Sequence, residues 1–147
     1  MTSEASLTVR VTRRFTAPPE SVFDAWLKPE LIAGWMFSHT GLEEDVVRLA
    51  TDPRVGGAFS FLVRRQGQEI DHVGHYLEVD RPRRLVFSWT IAPHPEEGSL
   101  VTIDIVPLDE GCELTLTHEI PAEFAEFVQR TEEGWTKMLK ALDEALH

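Results

Sequence analysis

The stretch that decides the fold is Gly74-His75-Tyr76-Leu77-Glu78-Val79-Asp80-Arg81-Pro82-Arg83-Arg84-Leu85-Val86-Phe87-Ser88-Trp89. It predicts two strands joined by a tight Asp-Arg-Pro-Arg turn, and the second strand ends on a large aromatic residue. The same chain closes with a long amphipathic segment, residues 121–147. A run of strands followed by one long helix predicts a curved sheet that grips the helix, an arrangement that often leaves a cavity between the two layers.

Upstream of this stretch, residues 7–15 alternate apolar with polar side chains and predict a first strand. Pro18 and Pro19 then open a short helix, because proline is tolerated in a first helical turn. Pro29 ends that helix, since the residue before a proline is disfavoured in the α region. A second short helix is expected over residues 29–36.

Downstream, the pattern predicts a sheet and then a helix. Residues 38–45 and 93–98 are expected as loops, 66–68 as a hairpin tip, and strands are expected at 46–51, 59–63, 69–79, 84–91, 101–105 and 113–119. A helical stripe follows, made of Phe124, Phe127, Val128, Trp135, Met138, Leu139, Leu142 and Leu146. Gly134 interrupts this helix, and we expect it to serve close packing or to let Trp135 settle on the sheet. The fold class is therefore α+β, with an antiparallel sheet, two short helices after the first strand and a long C-terminal helix.

Length and charge limit the function classes. The 147 residues predict one domain, 1–147, with its core at about 8–146. A formal net charge of −11 disfavours nucleic acid and an anionic membrane surface as partners. No apolar run approaches the ~20 residues that span a bilayer, and the N-terminus lacks the pattern of a secretory signal. The single cysteine, Cys112, permits no intrachain disulfide, and we expect a cytoplasmic location.

Several segments together resemble one family, the activator of Hsp90 ATPase homologue 1-like proteins of the START-like, or Bet v 1-like, superfamily. The matching pieces occur in the family's order and are Ala17-Pro18-Pro19-Glu20-Ser21-Val22-Phe23-Asp24-Ala25-Trp26, residues 29–35, Arg54-Val55-Gly56-Gly57-Ala58-Phe59, residues 74–89, Leu116-Thr117-His118, and Gly134-Trp135 with Leu139 and Leu142. The resemblance implies a helix-grip fold with a hydrophobic cavity between the sheet and the C-terminal helix. The eponymous co-chaperones carry an additional N-terminal domain, which we do not expect here, so activation of Hsp90 is the less favoured implication.

Ten side chains are candidates for lining this cavity and binding a ligand: Trp26, Trp35, Phe59, Phe61, His72, Tyr76, Phe87, Trp89, His118 and Trp135. The resemblance favours a place in the pocket for Trp26, Trp35, Tyr76 and Trp89 as a group. An aromatic wall favours flat or acyl-type apolar molecules. The alternative interpretation is a filled core, since strand and helix patterning alone also predicts the aromatic residues of this set to lie inside.

Two histidines are candidates for acid–base chemistry. His118 shares a predicted face with Leu114 and Leu116, so it is expected to point inward. His72 and His75 are three residues apart on one strand and are expected on opposite faces, which is poor spacing for a shared metal ion. Asp71 and Glu78 are candidate carboxylate partners, depending on strand register.

No cofactor and no metal ion are expected. The sequence has no His-Glu-x-x-His motif, no cysteine pair and no calcium loop. Gly56-Gly57 is not followed by the Lys and Ser/Thr of a phosphate-binding loop. Cys112 lies close to Glu110 and Glu113, whose charges disfavour a nucleophilic thiolate.

Three functions stay open at this stage. The favoured one is the binding of a small hydrophobic or aromatic molecule in the cavity, without catalysis. The second is an enzyme of the cyclase, hydratase or hydrolase type, which uses a pocket histidine with a carboxylate. The third is an interaction module with a chaperone partner or a role in stress regulation. Open sheet edges also make a homodimer plausible.

Overall fold

The computed structural model describes residues 6–35, 44–65, 67–91, 99–121 and 128–146. In chain order the elements are β1 (Ser6–Phe15), α1 (Pro19–Asp24), α2 (Pro29–Ile32), β2 (Glu44–Thr51), β3 (Ala58–Arg65), β4 (Gln68–Asp80), β5 (Arg84–Ile91), β6 (Ser99–Pro107), β7 (Cys112–Pro121) and α3 (Val128–Ala145). The strands form one curved antiparallel sheet of seven, in the order β1-β7-β6-β5-β4-β3-β2. This is the predicted helix-grip fold. In the described ranges no helix is both long and apolar enough to cross a bilayer.

The β4–β5 hairpin forms at the predicted place. Its turn is closed by a bond from the Arg83 backbone N–H to the Asp80 carbonyl, 2.7 Å long. The register shifts between Tyr76 and Glu78, which marks a β-bulge. As a result two consecutive residues, Leu77 and Glu78, are both exposed, whereas the side chains before the bulge alternate between the two faces of the sheet.

Gly74 permits close contact across this hairpin. A Cβ atom at this position would lie 2.0 Å from the Ser88 carbonyl oxygen and 2.7 Å from Cζ of Phe59. No side chain larger than hydrogen fits between these two groups without movement of the backbone. The glycine therefore lets the Phe59 ring pack directly on the β4 backbone.

The core lies between the inner face of the sheet and the helices. Helix α3 buries Trp135, Leu139, Ala141 and Leu142. A half-buried ion pair of 3.0 Å from Arg13 Nη2 to Asp143 Oδ2 joins α3 to β1. Helices α1 and α2 add buried apolar side chains at Val22, Phe23 and Ile32. These contacts enclose one continuous core.

Some predicted bounds differ from the structure. Strand β2 begins at Glu44, so the end of the expected loop 38–45 is strand, and Asp45 pairs with Arg64. Helix α2 ends at Ile32, because three-residue turn bonds such as Trp35 N–H to the Ile32 carbonyl replace the α pattern.

The predicted start of the C-terminal segment was wrong, and so was close packing, one of the two roles expected for Gly134; the other, settling of Trp135 on the sheet, stays a prediction. Pro121 is the last residue of β7, so the amphipathic segment does not start there. A Cβ atom on Gly134 would meet nothing within 4 Å, so close packing does not require that glycine. The expected loop 93–98 and the stripe residues Phe124 and Phe127 lie outside the described residues.

Candidate functional site

The inner face of β3, β4 and β5 meets the segment after α1 at a small cavity. Six aromatic side chains line it: Trp26, Phe59, Phe61, Tyr76, Phe87 and Trp89. The cavity has a volume of about 10 Å³. This volume is enough for roughly one water. The six aromatic rings thus nearly fill this cavity, as far as the described residues define it.

Phe59 is the centre of this aromatic wall. Its ring centroid lies 4.8 Å from that of Phe61, 5.4 Å from Tyr76, 5.7 Å from Phe87 and 5.9 Å from Trp89. These separations fall in the range in which aromatic pairs attract one another beyond the burial of their area. The wall is therefore one contiguous cluster rather than a set of separate rings.

A second layer of rings supports Trp26. Its centroid lies 4.7 Å from that of Trp35 and 5.9 Å from that of Trp135 on α3. The Trp35 indole N–H donates to the Ala25 carbonyl oxygen at 3.0 Å. Trp35 therefore has its hydrogen bond satisfied behind Trp26, and Trp135 connects the cluster to the long helix.

Two buried polar atoms of side chains that line the cavity lack hydrogen-bond partners within the described residues. They are Nε1 of Trp26 and the hydroxyl oxygen of Tyr76, on side chains that are 3% and 2% exposed. A buried polar group without a partner is rare in folded proteins and costs free energy. Burial, with a smaller contribution from the negative charge of Asp52, raises the pKa of Tyr76, so its hydroxyl stays protonated.

His118 belongs to a hydrogen-bonded chain that spans four elements: α3, β7, β6 and β5. The Trp135 indole N–H donates to Nδ1 of His118 at 3.0 Å, so the proton of the neutral ring lies on Nε2. Nε2 then donates to the Ser99 hydroxyl at 2.6 Å, and that hydroxyl donates to the Trp89 carbonyl at 3.0 Å. Burial lowers the pKa of His118 to about 4, which keeps the ring neutral at pH 7.

His72 lies on the opposite side of Trp89. Its Nδ1 is 3.1 Å from the Phe61 carbonyl oxygen and donates to it, since a carbonyl only accepts. Its ring centroid is 5.3 Å from that of Trp89. His72 is buried and His75 is exposed, as the alternation of the strand predicts.

The structure brings the ten predicted ligand-binding side chains to the interior. Six of them line the cavity, and four pack around those six: Trp35, His72, His118 and Trp135. Ser99 was not predicted as part of the site, because nothing in the sequence shows that a serine at the start of a strand will bond to a histidine 19 residues later in the chain.

The two candidate carboxylates lie away from the cavity. Asp71 faces outward and accepts a hydrogen bond of 2.7 Å from the Ser60 hydroxyl. Glu78 is exposed and pairs with Arg84 at 3.3 Å. Among the described residues, no cluster of three or more His, Cys, Asp or Glu side chains could hold a metal ion.

Comparisons with known proteins agree with this geometry. The model of the family described as activator of Hsp90 ATPase homolog 1-like protein matches residues 16–147. No curated protein shows significant similarity to the chain.

Solved structures share the fold. Protein CV1439 from Chromobacterium violaceum is 29% identical, with a TM-score of 0.81 and coverage of 95% of this chain and 96% of that one. Protein NE0264 from Nitrosomonas europaea is 21% identical, with a TM-score of 0.80 and coverage of 95% and 94%. Protein SA2116 from Staphylococcus aureus is 14% identical, with a TM-score of 0.83 and coverage of 97% and 94%. The likeness extends over nearly the whole length of each chain.

Proposed function

We propose that this chain, which belongs to the family of activator of Hsp90 ATPase homolog 1-like proteins and has the START/Bet v 1-like fold, binds a small, largely apolar molecule. The site is the aromatic cavity between the sheet and the segment after α1, with Trp135 of α3 packed against Trp26 and Trp89. The observation that carries the proposal is the composition of the wall, which consists of six aromatic side chains around one void. Such surfaces suit flat apolar molecules.

Entry of a ligand requires aromatic rings to move, because the cavity has room for about one water. Trp89 is half-buried, whereas the other five lining residues are buried. A partly exposed side chain loses fewer packing contacts when it changes rotamer. We therefore place the entrance at Trp89, at the end of β5.

Catalysis has weaker support than binding. Both ring nitrogens of His118 are already hydrogen-bonded, to Trp135 and Ser99. A general base must reach its substrate with a free lone pair, so His118 would first have to break one of these bonds. Within the described residues the cavity wall holds no carboxylate, and Asp71 and Glu78 point away from it.

The other functional inferences stay predictions. A chaperone partner, a homodimer and a cytoplasmic location each come from the sequence and the family. Val46 and Val47 are exposed apolar side chains on β2, which is an edge strand of the sheet. They are the described residues from which a search for a dimer contact would start.

Native mass spectrometry tests the binding proposal. The protein is purified gently from its own host, weighed intact, and weighed again after denaturation, with mass analysis of any released compound. We expect a reproducible small apolar adduct that an excess of 1-indanone displaces. A bare protein that is also not stabilised by indane or 1-indanone in thermal unfolding would overturn the proposal.

A further inference from the structure

We infer that the ligand is uncharged and carries a hydrogen-bond acceptor, such as a ketone oxygen, which the side chains of Trp26 and Tyr76 anchor inside the aromatic cavity. The inference rests on the proposed binding function and names the chemical class of its ligand. It follows from the unsatisfied polar atoms on the wall.

The indole of Trp26 stands out from its neighbours. Trp35 donates its N–H to the Ala25 carbonyl and Trp135 donates to His118, each at 3.0 Å. Trp26 is equally buried, at 3% exposure, yet in the described part of the chain its Nε1 has no acceptor. An indole N–H only donates, so what it lacks is an acceptor atom.

Tyr76 offers a second donor on the same wall. Its backbone is held on both sides, because its N–H donates to the Gly57 carbonyl at 2.9 Å and its carbonyl accepts from the Gly56 N–H at 2.8 Å. The phenol hydroxyl keeps its proton, since burial and the charge of Asp52 raise its pKa. Two of the six lining side chains therefore carry an N–H or O–H donor from which no described residue accepts.

The surroundings favour an uncharged acceptor over a carboxylate. None of the six described lining side chains is charged. The imidazole of His118, which accepts from Trp135, is neutral at pH 7. The charge that Tyr76 senses is the negative one of Asp52, which would repel a carboxylate. A buried anion without a cation is costly, whereas a carbonyl oxygen accepts from two donors at once.

A single water is the natural occupant in the absence of ligand. The cavity of about 10 Å³ admits roughly one water beside Trp26 and Tyr76, and a small movement of either side chain would let that water accept its hydrogen bond. A ketone oxygen at the same place reproduces the hydrogen bonds of that water, and a hydrocarbon does not. Selectivity between two molecules of equal shape is thus the measurable consequence.

Indane and 1-indanone form the matched pair of probes, because they differ only in the replacement of one CH₂ by C=O. Calorimetric titration measures both affinities on wild type, Tyr76→Phe, Trp26→Phe and the control Phe87→Leu, which alters the wall without removing a polar atom. We expect wild type to bind 1-indanone about tenfold more tightly than indane. Each of the first two variants should reduce that ratio while retaining indane binding, and Phe87→Leu should change both affinities alike.

An NMR readout separates a direct contact from a change in packing. The indole N–H signal of Trp26, assigned as the one that Trp26→Phe removes, should move downfield with 1-indanone and much less with indane. Equal affinities for the two probes in wild type, or an unchanged preference in both polar-atom variants, would overturn the inference and leave the binding function standing. Tighter binding of indane-1-carboxylate than of 1-indanone would overturn the uncharged class. Binding of neither indane nor 1-indanone would overturn the proposed function itself.

Discussion

At the scale of single residues, specific hydrogen bonds between buried side chains fix the arrangement of the interior. Trp135, His118 and Ser99 form a chain in which every donor has one acceptor. A chain of this kind holds the imidazole in one tautomer and one orientation. His118 thereby couples α3 to β6 and β7, and its protonation would break the bond from Trp135.

His118→Gln should remove a pH dependence of stability. Between pH 6.5 and about 4 the unfolded chain binds a proton on this histidine that the folded chain excludes. Because the unfolded state binds more protons, the free energy of unfolding falls as the pH drops through this window, by up to about 3 kcal/mol. Urea unfolding of wild type and variant at several pH values measures the difference. The exposed His75→Gln is the control, and a wild-type slope that survives in His118→Gln would refute the assignment.

Gly74→Ala should destabilise the fold severely. The added Cβ would lie 2.0 Å from the Ser88 carbonyl oxygen, and backbone atoms in a paired strand do not move aside cheaply. We expect a loss of roughly 3 kcal/mol or more, at the upper end of overpacking. Gly134→Ala is the matched control, since its Cβ meets nothing within 4 Å and the helix gains about 1 kcal/mol. Similar urea midpoints for the two variants would contradict the close contact across the hairpin.

The sequence predicts whether a residue is buried better than it predicts which residue it contacts. Period-two alternation and the helical stripe predicted that most of the candidate side chains are buried. They left open which face of the strand carrying His72 and Tyr76 is buried, because alternation separates the two faces of a strand without telling which one meets the core. The unsatisfied atoms of Trp26 and Tyr76 were not predictable, since they depend on what surrounds each side chain in three dimensions. The same holds for Ser99, whose partner His118 is 19 residues away in the chain.

At the scale of elements, short helix α1 is fastened to the β4–β5 turn by one ion pair. Arg81 binds Asp24 with both nitrogens of a fork, Nε to Oδ1 at 2.8 Å and Nη2 to Oδ2 at 3.0 Å. A bidentate geometry is more specific than a single contact. The hydrogen bond from Arg81 holds the pKa of Asp24 below its usual value.

Asp24→Asn should therefore weaken the fold in a pH-dependent way. The lowered pKa means that the folded state favours the charged carboxylate, so the stabilisation is present above the ordinary value of 3.8 and is lost as the pH falls through the lowered one. We expect a small decrease in the urea midpoint at pH 7 that disappears toward pH 2. Asp52→Asn, which breaks an exposed pair with Arg54, is the control. An equal effect of both variants at pH 7 would argue against a special role for the fork.

The bounds of a strand could be predicted where a turn marks its start, as for β5, but not where charged residues belong to the strand itself, as in β2. Strand β5 runs over the predicted residues 84–91, because a turn signal precedes it. Strand β2 starts earlier than predicted, because Glu44 and Asp45 are charged and gave a loop signal, whereas an exposed edge strand accepts charges without cost.

At the scale of the whole molecule, the aromatic cluster connects all layers of the fold. Trp26 belongs to the segment after α1, Phe59 and Trp89 to the sheet, and Trp135 to α3, with neighbouring centroids about 6 Å apart. The helix-grip arrangement follows from the order of elements in the sequence. The size of the cavity does not, since it depends on how far each ring reaches across the layers once the register is set.

The small volume of the aromatic cavity implies that space, more than the chemistry of the cavity wall, limits the uptake of a ligand. Trp89→Ala removes the half-buried ring at the proposed entrance. Trp89→Leu also removes the ring but leaves a smaller void, and it replaces the alanine variant if that one does not fold. We expect a loss of about 3–5 kcal/mol for the alanine variant, from lost packing and the new void. Indane should raise the melting temperature of either variant more than that of wild type, because removal of the Trp89 ring already provides part of the volume that indane needs.

Leu116→Ala provides the comparison that makes this result specific. Leu116 is fully buried in the same core but is not among the six residues that line the cavity. Its truncation also leaves a void and costs about 2–5 kcal/mol. If indane stabilised Leu116→Ala as much as the Trp89 variants, any void in the core would serve and the site would not be local to Trp89. A response confined to the Trp89 variants would place the entrance at the end of β5, because only there does the added volume join the aromatic cavity.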